Sequence, residues 1–258
     1  MLELINVSVN VKEGYIKKKK TIINDISFVL KDEKALGIIG KSGSGKSTIA
    51  NAILGLIKNS SGDIIIDGKM HNQFSRMKRA KMVQLVTQNP DSSFDSDTTV
   101  LQSLVEVMKI HKLLTSQVSV EDLLSPLLKD VGLESINLNK RPNCFSGGEL
   151  QRLSIVRALL VKPHIIILDE VESMLDTITR IQLFDTINKL RKKYSLSYIY
   201  ITHDIRVLPK LVDNILILNS GRQVDYGAVE ILLTSENQYI KELRDNIIME
   251  VKNNEQII

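Results

Sequence analysis

Apolar residues along the chain fall into short runs spaced for alternating strands and helices. Leu2 to Val11 alternates loosely and is rich in Val and Ile, which suits a strand, and Ile22 to Leu30 reads as a second. Ala35 to Ile39 is a continuous apolar run of the kind buried on both faces of a parallel sheet. It ends at Gly40, and a helical pattern follows from Lys46 to Leu56. Gly62 to Gly68 reads as a strand bracketed by turn residues. From Asn89 to Leu160 the texture changes. Helix-compatible stretches at Val100–Leu114, Val120–Val131 and Leu150–Leu160 are joined by polar connectors without a strand signal. Strands at Ile165–Leu168, Ser197–Ile201 and Asn214–Leu218, with a helix over Ile178–Lys193, then restore the alternation. The tail from Tyr239 is polar and charged, with helical character. No internal repeat is visible. The expected architecture is one α/β domain over 1–258. Its core comprises residues 1–88 and 161–230, with a helical subdomain inserted at 89–160 and a helical tail at 231–258.

Composition narrows the class. The chain has 258 residues, 43% hydrophobic and 25% charged, which excludes a wholly disordered polymer. Its single cysteine, Cys144, can make neither an internal disulfide nor a multi-thiolate metal site. No apolar run approaches the ~18 residues of a membrane span, and Met1–Leu4 lacks the layout of a signal peptide. A reduced, cytoplasmic protein is expected. The formal charge of +4 is too slight and too dispersed to argue for a nucleic-acid partner. The Lys17–Lys20 run reads as a solvated hairpin tip.

Chemistry enters at Gly40-Lys41-Ser42-Gly43-Ser44-Gly45-Lys46-Ser47, which fits G-x-x-x-x-G-K-[ST]. Phosphate oxygens must be approached by several backbone N–H groups at once, so side chains are kept out of the way. The segment lies between a buried strand and a helix whose first amides, running on through Thr48, carry partial positive charge. Lys46 can reach the β- and γ-phosphates, and the Ser47 hydroxyl can ligate Mg²⁺. The motif predicts a nucleoside triphosphate as cofactor, with Mg²⁺. Ile165–Leu168 then delivers Asp169 and Glu170 to the end of a buried strand, where α/β sheets bind ligands. Asp169 is placed to hold Mg²⁺, and Glu170 to act as general base on the attacking water. These features are shared by kinases, GTPases, helicases and transport ATPases.

Ser146-Gly147-Gly148-Glu149-Leu150-Gln151-Arg152 separates them. It lies 23 residues before Asp169 and reads as a helix start, with Ser146 and Glu149 as a capping box and a second set of exposed amides. Together with the loop and the acidic pair, it resembles the ABC-family ATPase domain. That resemblance implies a P-loop core with an antiparallel β subdomain and an inserted helical subdomain. It also implies further site residues. Gln88 matches the Q-loop that senses Mg²⁺, Ser173–Asp176 the D-loop, and His203 the switch histidine. Tyr15 matches the aromatic that stacks on adenine. Domains of this family pair head to tail, so Ser146, Gly147, Gly148 and Glu149 are implied to meet a nucleotide held by a second ATPase subunit. Phe145, Glu149 and Glu172 depart from the commonest residues at their positions.

Gln88-Asn89-Pro90 followed by Ser92-Ser93-Phe94 is similar to the oligopeptide, dipeptide and nickel importer group, as is Tyr239-Ile240-Lys241-Glu242-Leu243. The similarity is to the shorter of the two ATPase subunits of such importers. It implies ATP hydrolysis at the cytoplasmic face of a membrane and import of small peptides, nickel or metal–chelator complexes. The implied partners are two permease subunits, a related ATPase chain and an extracytoplasmic binding protein. The competing readings are an exporter component and a non-transport relative acting on DNA or ribosomes. The 98 residues between Ser47 and Ser146 leave no room for the long coiled coil of the DNA-repair members. A P-loop kinase would lack the second signature.

Overall fold

The computed structural model describes residues 1–13 and 18–245. The chain opens with β1 (Leu2–Glu13), β2 (Lys18–Leu30), β3 (Ala35–Ile39), α1 (Lys46–Leu54), β4 (Ser61–Ile66) and β5 (Lys69–Met70). Next come α2 (Arg76–Met82), β6 (Val83–Val86), α3 (Val100–Ile110), α4 (Val120–Asp130), α5 (Gly147–Leu159), β7 (Ile165–Asp169) and α6 (Thr177–Tyr194). β8 (Ser197–Ile201), α7 (Leu208–Leu211), β9 (Asn214–Asn219), β10 (Arg222–Ala228) and α8 (Ile231–Thr234) follow, with a last helical stretch at 238–245. These elements form two compact units, Met1–Gln73 with the chain from Ile199 onward, and Phe74–Tyr198.

In the first unit the strands run in the order β5-β4-β1-β2-β10-β9-β3. β1 is antiparallel to both β2 and β4, and β3 is parallel to β9. The loose alternation of β1 has a structural cause. Leu2 and Leu4 point inward on even positions, Val7 and Val9 on odd ones, and the phase changes at Asn6. Asn6 and Asp25 both take left-handed φ, 50° and 58°, and the Asn6 amide donates to Asp25 Oδ1 at 2.6 Å. This pair of irregularities shifts the register between the strands and keeps one face apolar throughout. β3 is buried at all five positions, so its residues form a two-sided core strand leading into the loop after Ile39. Each fully buried Ile or Leu contributes about 1.5–3 kcal/mol.

In the second unit β6 pairs in parallel with β7, Val83 opposite Ile165 through Val86 opposite Leu168. Between these two strands the described elements are helical. α2 through α6 each open on a Ser, Thr or Asp whose side chain accepts from the helix's own first amides. The far ends of α4 and α6 are clasped. The Lys193 ammonium lies 2.6 and 2.7 Å from the two Asp130 oxygens, and the Tyr194 hydroxyl donates to the same carboxylate.

Several boundaries differ from the sequence pattern for local reasons. α1 ends at Leu54 because Gly55 turns left-handed at φ 72°, and α3 stops at Ile110, two residues before left-handed Lys112. β2 begins at Lys18, so Lys18–Lys20 belong to the strand ladder opposite Val11–Glu13 rather than to a turn. Three strands had no counterpart in the sequence reading: the two-residue β5, β6 and β10. Among the described residues no helix is long and apolar enough to cross a membrane.

Candidate functional site

The first unit carries the glycine loop. β3 ends at Ile39 and α1 begins at Lys46, with Gly45 in a left-handed conformation at φ 104° as its N-cap, a residue with no side chain to cap the first turn. The first turn of α1 holds no acidic residue, so its partial positive charge is left uncompensated by the helix itself. Gly40 and Gly45 are required sterically. A Cβ on Gly40 would sit 2.3 Å from the Leu218 carbonyl oxygen, and one on Gly45 2.5 Å from Ile23 Cγ2. At Gly43 the opposite holds: a Cβ would meet nothing within 4 Å, so this edge of the loop faces open space.

Lys46 is 8% exposed, yet its ammonium donates to Gly40 O at 2.8 Å and Lys41 O at 3.3 Å. The loop is cross-braced by Ser44 N–H to Lys41 O and by Gly221 N–H to Ser44 O, both at 3.1 Å. The Ser44 hydroxyl is buried and has no hydrogen-bond partner among the described residues. Such a hydroxyl, a buried cation and a helix start with a glycine cap fit an anionic, oxygen-rich ligand such as a phosphate chain. Ser47 is exposed and Thr48 half-buried on the first turn of α1, while Lys41 and Ser42 are exposed.

His203 also lies in this unit and is exposed just beyond β8. The preceding residue, Thr202, is fully buried and donates its N–H to Ile38 O at 3.3 Å, so His203 leaves the sheet level with the strand that enters the loop. The turn after it is rigid. Thr202 Oγ1 accepts the Asp204 N–H at 2.9 Å, and Asp204 takes a two-pronged bond from Arg206, Nε at 2.7 Å and Nη2 at 2.6 Å.

The second unit carries the remaining residues. Gln88 is exposed, two positions past the end of β6. The turn that presents it is knotted by Thr87 Oγ1, which bonds Asn89 O at 3.0 Å and Ser92 Oγ at 2.9 Å. Gln151 of α5, 1% exposed, reaches the Thr87 carbonyl at 3.5 Å and so ties this turn to the signature helix. Asp169 is the last residue of β7, half-buried after four buried apolar residues. Glu170 follows at φ 48°, a left-handed conformation that a glutamate rarely adopts, and its carbonyl accepts the Ser173 N–H at 3.1 Å. The turn out of β7 therefore holds Glu170 in a strained conformation.

Ser146 caps α5. Its hydroxyl accepts the Glu149 N–H at 3.3 Å and donates to Glu149 Oε2 at 2.9 Å, while its own N–H donates to the same oxygen at 2.8 Å. The backbone and hydroxyl bonds from Ser146 hold the Glu149 carboxyl below the ordinary glutamate range. Gly148 is glycine for a steric reason: a Cβ there would lie 2.6 Å from the methyl of Thr179 on α6. Thr179 in turn donates through Oγ1 to Asp176 Oδ2 at 2.6 Å, and Asp176 Oδ1 takes the N–H groups of Ile178 and Thr179, both at 3.0 Å. These bonds, that from the Thr179 hydroxyl foremost, depress the Asp176 pKa. The structure thus brings Gly148 and Asp176 together through Thr179 and joins the Gln88 turn to α5 through Gln151. Tyr15 lies outside the described residues. The sequence reading gave no role to Gln151, Thr179, the Asp204–Arg206 pair or Tyr239. Of these, Gln151, Asp204 and Tyr239 fell within stretches singled out as motifs.

An alternating core with a phosphate loop, an acid-tipped strand and a capped second glycine signature defines a nucleotide-binding ATPase of the ABC type. The family model described as ABC transporter matches residues 23–173, and the chain belongs to this family. It is 34% identical over 249 residues to YejF of Escherichia coli K12, an uncharacterised ABC transporter ATP-binding protein. That alignment covers 94% of this chain and 47% of YejF, so the chain spans about half the length of that relative. It is 33% identical to the oligopeptide transport ATP-binding protein OppF of Haemophilus influenzae, covering 91% of this chain and 72% of OppF. Among solved structures it resembles the ATP-binding cassette MJ0796, a dimer in a post-hydrolysis state bound to ADP and Pi. The TM-score is 0.76 at 27% identity, over 89% of this chain and 99% of that one.

Proposed function

We propose that this chain binds and hydrolyses ATP as the nucleotide-binding subunit of an importer for small peptides. In this reading it works at the cytoplasmic face of the membrane with two permease subunits, a second, related ATPase chain and an extracytoplasmic binding protein. The observation that carries the proposal is the Gly40–Ser47 loop, with its buried Lys46, a Ser44 hydroxyl unbonded among the described residues and a glycine at the cap of α1. The oligopeptide transport role of OppF favours peptides over nickel as cargo.

When bound with Mg²⁺, ATP supplies the phosphoanhydride whose cleavage releases the free energy for transport. The chain's residues divide the work. Lys46 offsets phosphate charge, and the amides of Gly43 and of Gly45 to Thr48 donate to phosphate oxygens. The Ser47 hydroxyl and the Asp169 carboxylate suit Mg²⁺, a hard cation that takes oxygen ligands. Gln88 reads the metal and passes its state to the helical subdomain at 89–160, which docks on the permease. Glu170 takes a proton from water at its carboxylate, and His203 orients that water through a ring N–H. Ser146, Gly147, Gly148 and Glu149 present the second set of donors to a partner chain's nucleotide, with Asp176 setting the turn beside them. Tyr15 is assigned to the adenine ring.

The test is ATPase turnover and MgATP binding in Glu170→Gln. Turnover is expected to fall by about 10²–10³-fold while binding persists, and full turnover in this variant would sink the general-base role. Peptide uptake unchanged in a strain lacking the chain would sink the cargo assignment, and loss of nickel uptake alone would replace it.

A further inference from the structure

The phosphate loop is gripped from outside by a residue 198 positions further along the chain. The Tyr239 phenol oxygen accepts the Lys41 N–H at 3.2 Å and donates to the Leu218 carbonyl at 3.1 Å. This is the same Leu218 carbonyl that presses on Gly40 and admits no Cβ there. The helical stretch bearing Tyr239 is anchored independently. Ile240 is fully buried, and the Arg244 guanidinium donates to Leu233 O at 2.7 Å and Ser235 O at 3.0 Å. Lys41 adds a second contact, its ammonium lying 5.5 Å over the Tyr239 ring and 3.5 Å from the Glu242 carboxylate.

The peptide group being held gives the contact its significance. The unit joining Gly40 to Lys41 is planar, so its N–H and C=O can turn only together. Tyr239 holds the N–H, and the C=O at the other edge, Gly40 O, receives the Lys46 ammonium at 2.8 Å. The next carbonyl, Lys41 O, takes the second Lys46 bond. The phenol therefore fixes the nearer of the two acceptors that aim the loop's cation, Gly40 O.

We infer that Tyr239 is a positioning residue for nucleotide binding, a latch through which residues 238–245 preset the phosphate loop. The inference rests on the nucleotide reading above. Coupling between two sites is reciprocal, so nucleotide bound in the loop strengthens the latch as much as the latch strengthens binding. Tyr239→Phe removes only the oxygen and leaves the ring, the Ile240 anchor and the Arg244 bonds in place.

The experiment measures the Kd for MgATP in the full chain, with hydrogen exchange over 238–245 in the presence and absence of MgATP. It compares wild type, Tyr239→Phe and Lys46→Ala. Removing one net hydrogen bond is expected to weaken MgATP binding by about three- to ten-fold. MgATP is expected to slow exchange over 238–245 in the wild type and to leave it unchanged in Tyr239→Phe. Wild-type affinity and wild-type protection in Tyr239→Phe overturn the latch and leave the nucleotide site standing. Wild-type affinity in Lys46→Ala overturns the nucleotide site, and the latch with it.

Discussion

Two helix starts in this molecule, α1 after Gly45 and α5 after Ser146, are rich in glycine and present backbone amides, but they are finished in opposite ways. At α1 the cap residue is a glycine with no side chain to offer, no acid sits in the first turn, and a lysine is held on neighbouring carbonyls. At α5 the helix completes itself: Ser146 and Glu149 bond each other's backbone and side chain, and a carboxylate compensates the helix dipole. The first start is electrostatically unfinished and suited to hold an anion by itself. The second is stable without a ligand, so an incoming phosphate has to compete with a resident carboxylate. On the proposed function, this difference predicts a division of labour in which affinity for nucleotide in the isolated chain resides at α1 and not at α5.

The comparison breaks if both starts behave alike in the isolated chain. Lys46→Ala is expected to lower the apparent second-order rate for ATP by about 10²-fold or more, measured by steady-state hydrolysis. Ser146→Ala is expected to leave MgATP affinity of the isolated chain at the wild-type value. A Ser146→Ala protein that loses affinity as Lys46→Ala does would erase the distinction.

Gly148 sharpens the comparison, since its lack of a side chain serves packing. Gly148→Ala drives a Cβ onto the Thr179 methyl and is expected to destabilise the fold by about 1–3 kcal/mol, read from chemical denaturation. Thr179→Ser removes that methyl and keeps the hydroxyl that bonds Asp176, so it should restore most of the loss. No rescue would show that Gly148 is required for its backbone alone.

The smallest effect concerns the Glu149 charge. Its pKa is lowered in the folded protein, so the unfolded chain binds more protons on the way down in pH. Its contribution is therefore complete above the ordinary glutamate value and is lost as pH falls through the folded one. Thermal unfolding between pH 6 and pH 3 should show wild type declining more steeply than Glu149→Gln by about 0.5 kcal/mol. Parallel curves would show that the carboxylate is not part of the cap's energy.

The loop, the acid-tipped strand and the signature were legible because their residues are contiguous and their spacing is imposed by local backbone geometry. β3, β7 and β9 were legible because burial on both faces demands unbroken apolar runs. β6 escaped because α2 passes straight into it, Val83 serving as both cap and first strand residue, with no turn residue between. β10 escaped because its residues are only partly buried, so Arg222–Ala228 shows no alternation. The phase change at Asn6 explains why β1 looked irregular on paper. Tyr239 on Lys41 and Gly148 on Thr179 were invisible because no local pattern records contacts between distant segments.

The backbone at Glu170 has a consequence for how this protein can change. Left-handed φ is comfortable for glycine or asparagine and uncomfortable for glutamate, by about 1 kcal/mol or more. On the proposed general-base role, stability and chemistry make opposing demands at position 170. In a lineage whose copy no longer needs to hydrolyse ATP, drift is expected to carry this position toward Gly or Asn. Among sequences sharing this loop and signature, the residue here would then separate working motors from those retained for binding alone.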